Sequence, residues 1–208
     1  MKKLILSAAA VLAFGFANAQ EAKTFGFGEG NIIVEGNLGF NSTNDKNTDT
    51  KTSSFSFNPK AGYFISDDLA IGIELGIGSA KEETGGVEAK ENNFGAGAFA
   101  RYYFLELGER FKTYGEFGLG FESYKEEFEY KEEFEGDEIK KSGFGAGLGL
   151  GMNYFVTENI AINFVLSDIL SYSSIKPDGG EAINEFNGNI NVFDNFFTTA
   201  QFGLTFKF

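Results

Sequence analysis

The chain has 208 residues, 42% of them hydrophobic, enough to form one apolar surface in a single domain. Its 28 Gly, 26 Phe and 8 Tyr, with 2 Pro and no Trp, favour closely packed strands with aromatic faces over helices, collagen or disorder. Without His or Cys it can build no Ser-His-Asp triad, thiol nucleophile, zinc finger or His-ligated metal, and a net charge of -13 repels nucleic-acid phosphates.

Met1 to Ala19 places Lys2 and Lys3 before an apolar run from Leu4 to Phe16 and closes on Ala17-Asn18-Ala19. That is the order of a cleaved secretory signal, and the run is shorter than the roughly 20 residues of a spanning helix. The predicted organisation is a signal peptide over 1–19, a short periplasmic segment over 20–30 and a β-domain over 31–208. The exported chain has no cysteine, so its stability must come from elsewhere, and a closed sheet can supply it.

The mature chain then alternates with period two. Ile32, Val34, Leu38 and Phe40 open the series. Phe55, Phe57, Ala61 and Tyr63 follow, then Leu69, Ile71, Ile73, Leu75 and Ile77. A fourth strand carries Phe94 to Phe104, a fifth Phe117, Leu119 and Phe121. The sixth sets Phe144, Ala146, Leu148, Leu150, Met152 and Tyr154 against glycines and Asn153; the seventh holds Ile160 to Leu166 and the eighth Phe202 to Phe208. Connections at Ser66–Asp68, Glu106–Arg110 and Thr157–Asn159 are short. Those over Ser42–Thr52, Ala80–Asn92, Ser123–Ser142 and Ser173–Asn189 are long and polar, and all fall at one end, as in stacked up-and-down hairpins. The recurring glycines of Gly143–Gly151 carry no nucleotide-loop spacing.

The less apolar register holds glycines together with Glu35, Lys60, Glu74, Arg101 and Glu116. Glycines and charges make a poor lipid coat, so the apolar register is predicted to face hydrocarbon and the charged one a lumen. Positions symmetric about each turn oppose one another. Lys60 and Glu74 are centred on Asp67, and Arg101 and Glu116 on Gly108. Glu35 and Lys60 are symmetric about the first long loop, Glu74 and Arg101 about the second. The five residues are therefore expected to form an ion network inside a barrel narrow enough for side chains to fill it. Outward aromatics give girdles, Tyr63, Tyr102, Phe104, Tyr154, Phe206 and Phe208 near one rim and Phe40, Phe55, Phe121 and Phe144 near the other.

Signal peptide, eight alternating spans, short turns at one end, long loops at the other and the ending Phe202-Gly203-Leu204-Thr205-Phe206-Lys207-Phe208 together resemble the small outer-membrane β-barrels of the OmpA transmembrane domain and OmpX type. The resemblance implies an all-β, eight-stranded antiparallel up-and-down transmembrane barrel with a polar, largely filled lumen, in the outer membrane of a Gram-negative bacterium after Sec-type export. It implies that Phe202, Leu204, Phe206 and Phe208 form the signal read by the barrel assembly machinery, and that outer-membrane lipid and lipopolysaccharide surround a monomer. No peptidoglycan-binding domain is expected after Phe208.

Barrel enzymes of this superfamily move protons through a His that this chain lacks, so no catalysis, cofactor or metal is expected. In the third long loop Lys125-Glu126-Glu127-Phe128-Glu129 is echoed by Lys131-Glu132-Glu133-Phe134-Glu135. This segment reads either as a solvated charged loop or as a protruding hairpin that offers Phe128, Tyr130 and Phe134 to an extracellular partner. Fold does not decide function. The expected role is structural or surface-interacting through the loops; a narrow porin-like channel for ions or small solutes is the alternative.

Overall fold

The structure, a computed structural model, describes residues 25–130, 138–188 and 201–208. The expected signal peptide, residues 1–19, lies outside them. The strands are β1 (Ile32–Asp45), β2 (Thr50–Phe64), β3 (Leu69–Thr84), β4 (Val87–Leu107), β5 (Phe111–Tyr130), β6 (Glu138–Phe155), β7 (Ile160–Pro177), β8 (Ile183–Gly188) and β9 (Gln201–Lys207). Each of β1 to β7 pairs antiparallel with the next, and β9 joins β7 to β1, closing a ring of 8 strands. At the short-turn end, where Ile33–Gly36 of β1 pair with β9, closure removes the unpaired edges that an open sheet would expose. β8 pairs with Leu170–Ile175 of β7, so the eighth place in the wall holds β9 near the short turns and β8 towards the other end.

The three short turns lie where the sequence puts them, with Gly108 in the left-handed region at φ 68. The long connections differ from expectation, because most of their residues are strand. β1 and β2 stay paired to Asp45 and Thr50, and β3 and β4 to Thr84 and Val87, with Gly85 and Gly86 turning between them at φ 56 and 86. Alternation continues here in Ser, Lys and Glu instead of apolar residues, so hydropathy misses strands that backbone pairing carries on. The Gly85-Gly86 turn also corrects the register of the second long connection. Glu74 faces Gly97 and Arg101 faces Ala70, not each other.

The polarity of the fold is inverted relative to a soluble barrel. Ile73 is 63% and Phe40 85% exposed on the outside, whereas Arg101 is 1% and Glu35 4% exposed within. Towards the hairpin ends the outward apolar face finishes in a ring of one residue per strand: Phe40, Phe55, Ile77, Phe94, Phe121, Phe144, Tyr172 and Phe186. Two residues further along each strand stands a serine or asparagine: Ser42, Ser53, Ser79, Asn92, Ser123, Ser142, Ser174 and Asn184.

Ring neighbours Phe40 and Phe55, Ile77 and Phe94, Phe121 and Phe144, and Tyr172 and Phe186 are direct partners. In between, Phe55 faces Ser79, Phe94 faces Ser123 and Phe144 faces Ser174, each a two-residue step in the same sense. A step of one residue per strand on average, at about 3.3 Å along and about 4.8 Å across, corresponds to strands tilted by about 35°. The ring therefore lies level around a tilted barrel.

At the short-turn end, Phe25 to Asn31 fold back into the mouth. Phe27 stacks on Phe64 at 4.6 Å and packs against Tyr103 and Phe155 at 4.8 and 5.0 Å, while Arg110 covers Phe25 at 4.2 Å. Lys207 donates to the Gly26 carbonyl at 2.8 Å.

Candidate functional site

Five consecutive strands position the inward charges. Glu35 on β1 faces Lys60 on β2, Lys60 faces Glu74 on β3, and Arg101 on β4 faces Glu116 on β5. The structure brings all five together, with partners that backbone register alone does not dictate. The Arg101 guanidinium reaches across the ring and forms a fork with Glu35, NH1 to Oε1 at 2.6 Å and NH2 to Oε2 at 2.8 Å. Its Nε donates to Glu116 at 2.7 Å. Lys60 joins Glu116 at 2.5 Å to Glu74 at 2.6 Å, so the chain of pairs runs Glu35, Arg101, Glu116, Lys60, Glu74. Glu35 and Lys60 face each other as expected but pair elsewhere, Glu35 with Arg101 and Lys60 with Glu116 and Glu74, while the Gly85-Gly86 turn sets Glu74 opposite Gly97 instead of Arg101.

A second set of groups, not anticipated from the sequence, completes the cluster. Glu35 also accepts from Thr205 at 2.7 Å and Asn163 at 3.3 Å. Tyr114 donates to Asn163 at 2.7 Å, Tyr103 to Asn153 at 2.8 Å, and Asn153 to Thr205 at 2.9 Å. Arg101 lies 4.0 Å from the Tyr114 ring centroid, in cation–π range. Their signal was legible: Asn153, Asn163 and Thr205 occupy the inward register of the sixth, seventh and eighth strands, where neutral donors escape a reading that looks for charges. Glycine makes room for the large groups, since a Cβ at Gly151 would lie only 2.2 Å from Cζ of Tyr114.

Between this cluster and the N-terminal segment the interior is packed with Ile33, Phe64, Ala70, Tyr103 and Tyr114. On the other side it is not filled. A cavity of about 730 Å³ begins at Lys60, Glu74 and Glu116 and continues past Gly97, Gly118 and Glu122. The interior is thus closed in the half nearer the short turns and hollow in the half nearer the long hairpins, where many inward positions are glycine.

Leu204 and Phe206 on β9 take the outward register, and Phe208 exchanges backbone hydrogen bonds with Ile32 at 2.8 and 2.9 Å; of the Phe202 side chain nothing is described. β5 runs on to Tyr130, pairing it with Val87 of β4, and pairs with β6 as far as Glu127 and Glu138, the described part of the β5–β6 hairpin. Phe128 shares the inward register of that hairpin with Glu122 and Glu126 and is half-buried. Phe134 lies outside the described residues.

Residues 6–208 match the outer membrane protein beta-barrel domain family. Among solved structures, a major outer membrane protein from Thermus thermophilus is similar at 16% identity and a TM-score of 0.51, covering 86% of this chain and 99% of that one. The outer membrane protein OprG from Pseudomonas aeruginosa is similar at 15% identity and a TM-score of 0.50, over 89% and 99%. No curated protein matches in sequence.

Proposed function

Because this chain belongs to the outer membrane protein beta-barrel domain family and resides in the outer membrane, we propose that its work is done at the cell surface by the protruding hairpins, on a barrel that neither catalyses nor conducts. The observation that carries this reading is the plugged half of the lumen. Arg101, held by Glu35 on one side and Glu116 on the other, crosses the interior with Tyr103 and Tyr114 beneath it, and Phe27 stops the mouth. The absence of His and Cys from the whole chain supports the non-catalytic part. Outer-membrane lipid, lipopolysaccharide and an extracellular partner are the contacts this role requires, and the assembly machinery would engage β9.

The test is conductance of the folded protein in planar bilayers. No persistent open level is expected. A steady level that changes in Arg101→Ala would overturn the reading in favour of a narrow channel, the reading that the cavity of about 730 Å³ favours.

A further inference from the structure

Beyond the ring of apolar residues and the ring of Ser and Asn, the next outward position carries lysine on six consecutive strands: Lys51, Lys81, Lys90, Lys125, Lys140 and Lys176. On every one of these strands the lysine stands four residues from the last apolar residue of the outward face. The same alternation of zero and two-residue steps that levels the apolar ring levels this one. Lys81 faces Lys90 and Lys125 faces Lys140, whereas Lys51 faces Glu83 and Lys90 faces Glu127. Six of the 17 basic residues of an acidic chain are thus gathered at one height on one face. Along the same strands the inward register holds Glu82, Glu91, Glu122 and Glu126, with Lys141 as its cation.

The order of signs along each strand matters. On β3 to β6 the position after the lysine is Glu83, Glu88, Glu127 or Glu138, so lysine is always nearer the apolar ring and glutamate always further away. Mutual neutralisation accounts for contacts such as Lys81 to Glu83 and Glu88 at 2.9 and 3.0 Å, and Lys140 to Glu138 at 2.6 Å. It does not account for a fixed order, since either order would neutralise equally well. The opposed lysines are bridged by a carboxylate, Glu88 between Lys81 and Lys90 at 3.0 and 2.9 Å and Glu138 between Lys125 and Lys140 at 2.9 and 2.6 Å, which shows that each pair can hold an anion between its ammonium groups. The side chains of Lys51, Lys81, Lys90, Lys125 and Lys140 keep 35 to 60% of their surface, and a lysine has three donors to share.

Four residues at about 3.3 Å, under a tilt of about 35°, put the lysine backbone about 11 Å beyond the last apolar ring. A lysine stem reaching back towards the membrane delivers its ammonium to the headgroup layer. We propose that these six lysines form a belt that binds the phosphate groups of the lipids in the surrounding outer leaflet. The glutamates above, which hold these ammonium groups in the structure, are the partners that lipid phosphates replace, and they keep the hairpins from folding down onto the anionic surface.

The belt rests on the membrane reading of the barrel, and the experiment separates the two. Folded protein in nonionic detergent is titrated with bisphosphorylated lipid A and with the same lipid enzymatically dephosphorylated, and bound lipids are counted by native mass spectrometry. The wild-type protein is expected to retain the phosphorylated lipid about tenfold more strongly. The six Lys→Gln changes together should abolish the preference, the six Lys→Arg changes should keep it, and Lys46→Gln, in the first hairpin turn, should leave it intact. Equal retention of both lipids by wild type overturns the belt alone, as does an unchanged preference in the Lys→Gln protein. Should the Lys→Gln protein fail to fold, the wild-type comparison still decides the matter, together with the loss of its preference in salt of about 1 M, where the screening length falls to about 3 Å. Failure to bind either lipid would overturn the belt and count against the membrane reading as well.

Discussion

Arg101 is the residue on which the interior turns. A fully buried guanidinium is tolerated only because Glu35 and Glu116 neutralise it and its donors are used. Arg101→Ala leaves Glu35 buried and short of its fork partner, so the protein is expected to lose about 3 to 5 kcal/mol of stability. Lys46→Ala, an exposed change in a turn, should cost less than about 0.5 kcal/mol. Equal urea midpoints for the two variants would remove the case for an ion network. Gly151 gives a complementary test. A methyl group there displaces the Tyr114 ring and its hydrogen bond to Asn163, and overpacking of this kind costs about 1 to 3 kcal/mol. A Gly151→Ala midpoint indistinguishable from wild type would show that the ring is not fixed.

At the scale of elements, the hairpins and the N-terminal segment behave differently from their sequence descriptions as loops and tail. Hydrogen bonds from Lys81, Lys90 and Lys140 hold the carboxyls of Glu83, Glu88 and Glu138 below their usual value of 4.5. A folded carboxylate with a lowered value stabilises the hairpins above the ordinary range and stops doing so as pH falls through it. Hydrogen exchange at the ends of β3 to β6 is therefore expected to be uniform from about pH 5 to 8, after correction for intrinsic rates, and protection should fall below about pH 4. Protection that persisted to about pH 2 would dissociate the ladders from hairpin order. In the mouth, Phe27→Ala removes a ring packed against three aromatic side chains, and a loss of about 3 kcal/mol is expected, measured as a lower thermal midpoint.

For the whole molecule, the decisive property is which face meets hydrocarbon. Leu148 and Gly147 are neighbours on β6 with opposite registers, outward and inward. A cysteine at 148 should be reached by lipid-phase reagents and one at 147, which lines the cavity, by small water-soluble ones entering from the hairpin end. The reverse pattern would turn the barrel inside out. Heat-modifiable gel migration in detergent is the matching measurement on the intact protein, because a closed ring stays compact in detergent until heated.

Period-two alternation with a greasy and a glycine-charged register was enough to establish eight spans, their inside-out polarity and the presence of Glu35, Lys60, Glu74, Arg101 and Glu116 in one lumen, since these follow from local pattern and the hydrophobic effect alone. Local pattern says nothing of which strand a guanidinium will cross to. Arg101 meets Glu35 rather than Glu74 because ring closure and shear bring β1 and β4 within reach across the diameter. Nor could it locate the Gly85-Gly86 turn that set the true register, the neutral donors Asn153, Asn163 and Thr205 around Glu35, or the fold of Phe27 into the mouth. Those are contacts between residues far apart in the chain, and their energies exist only once the ring has closed.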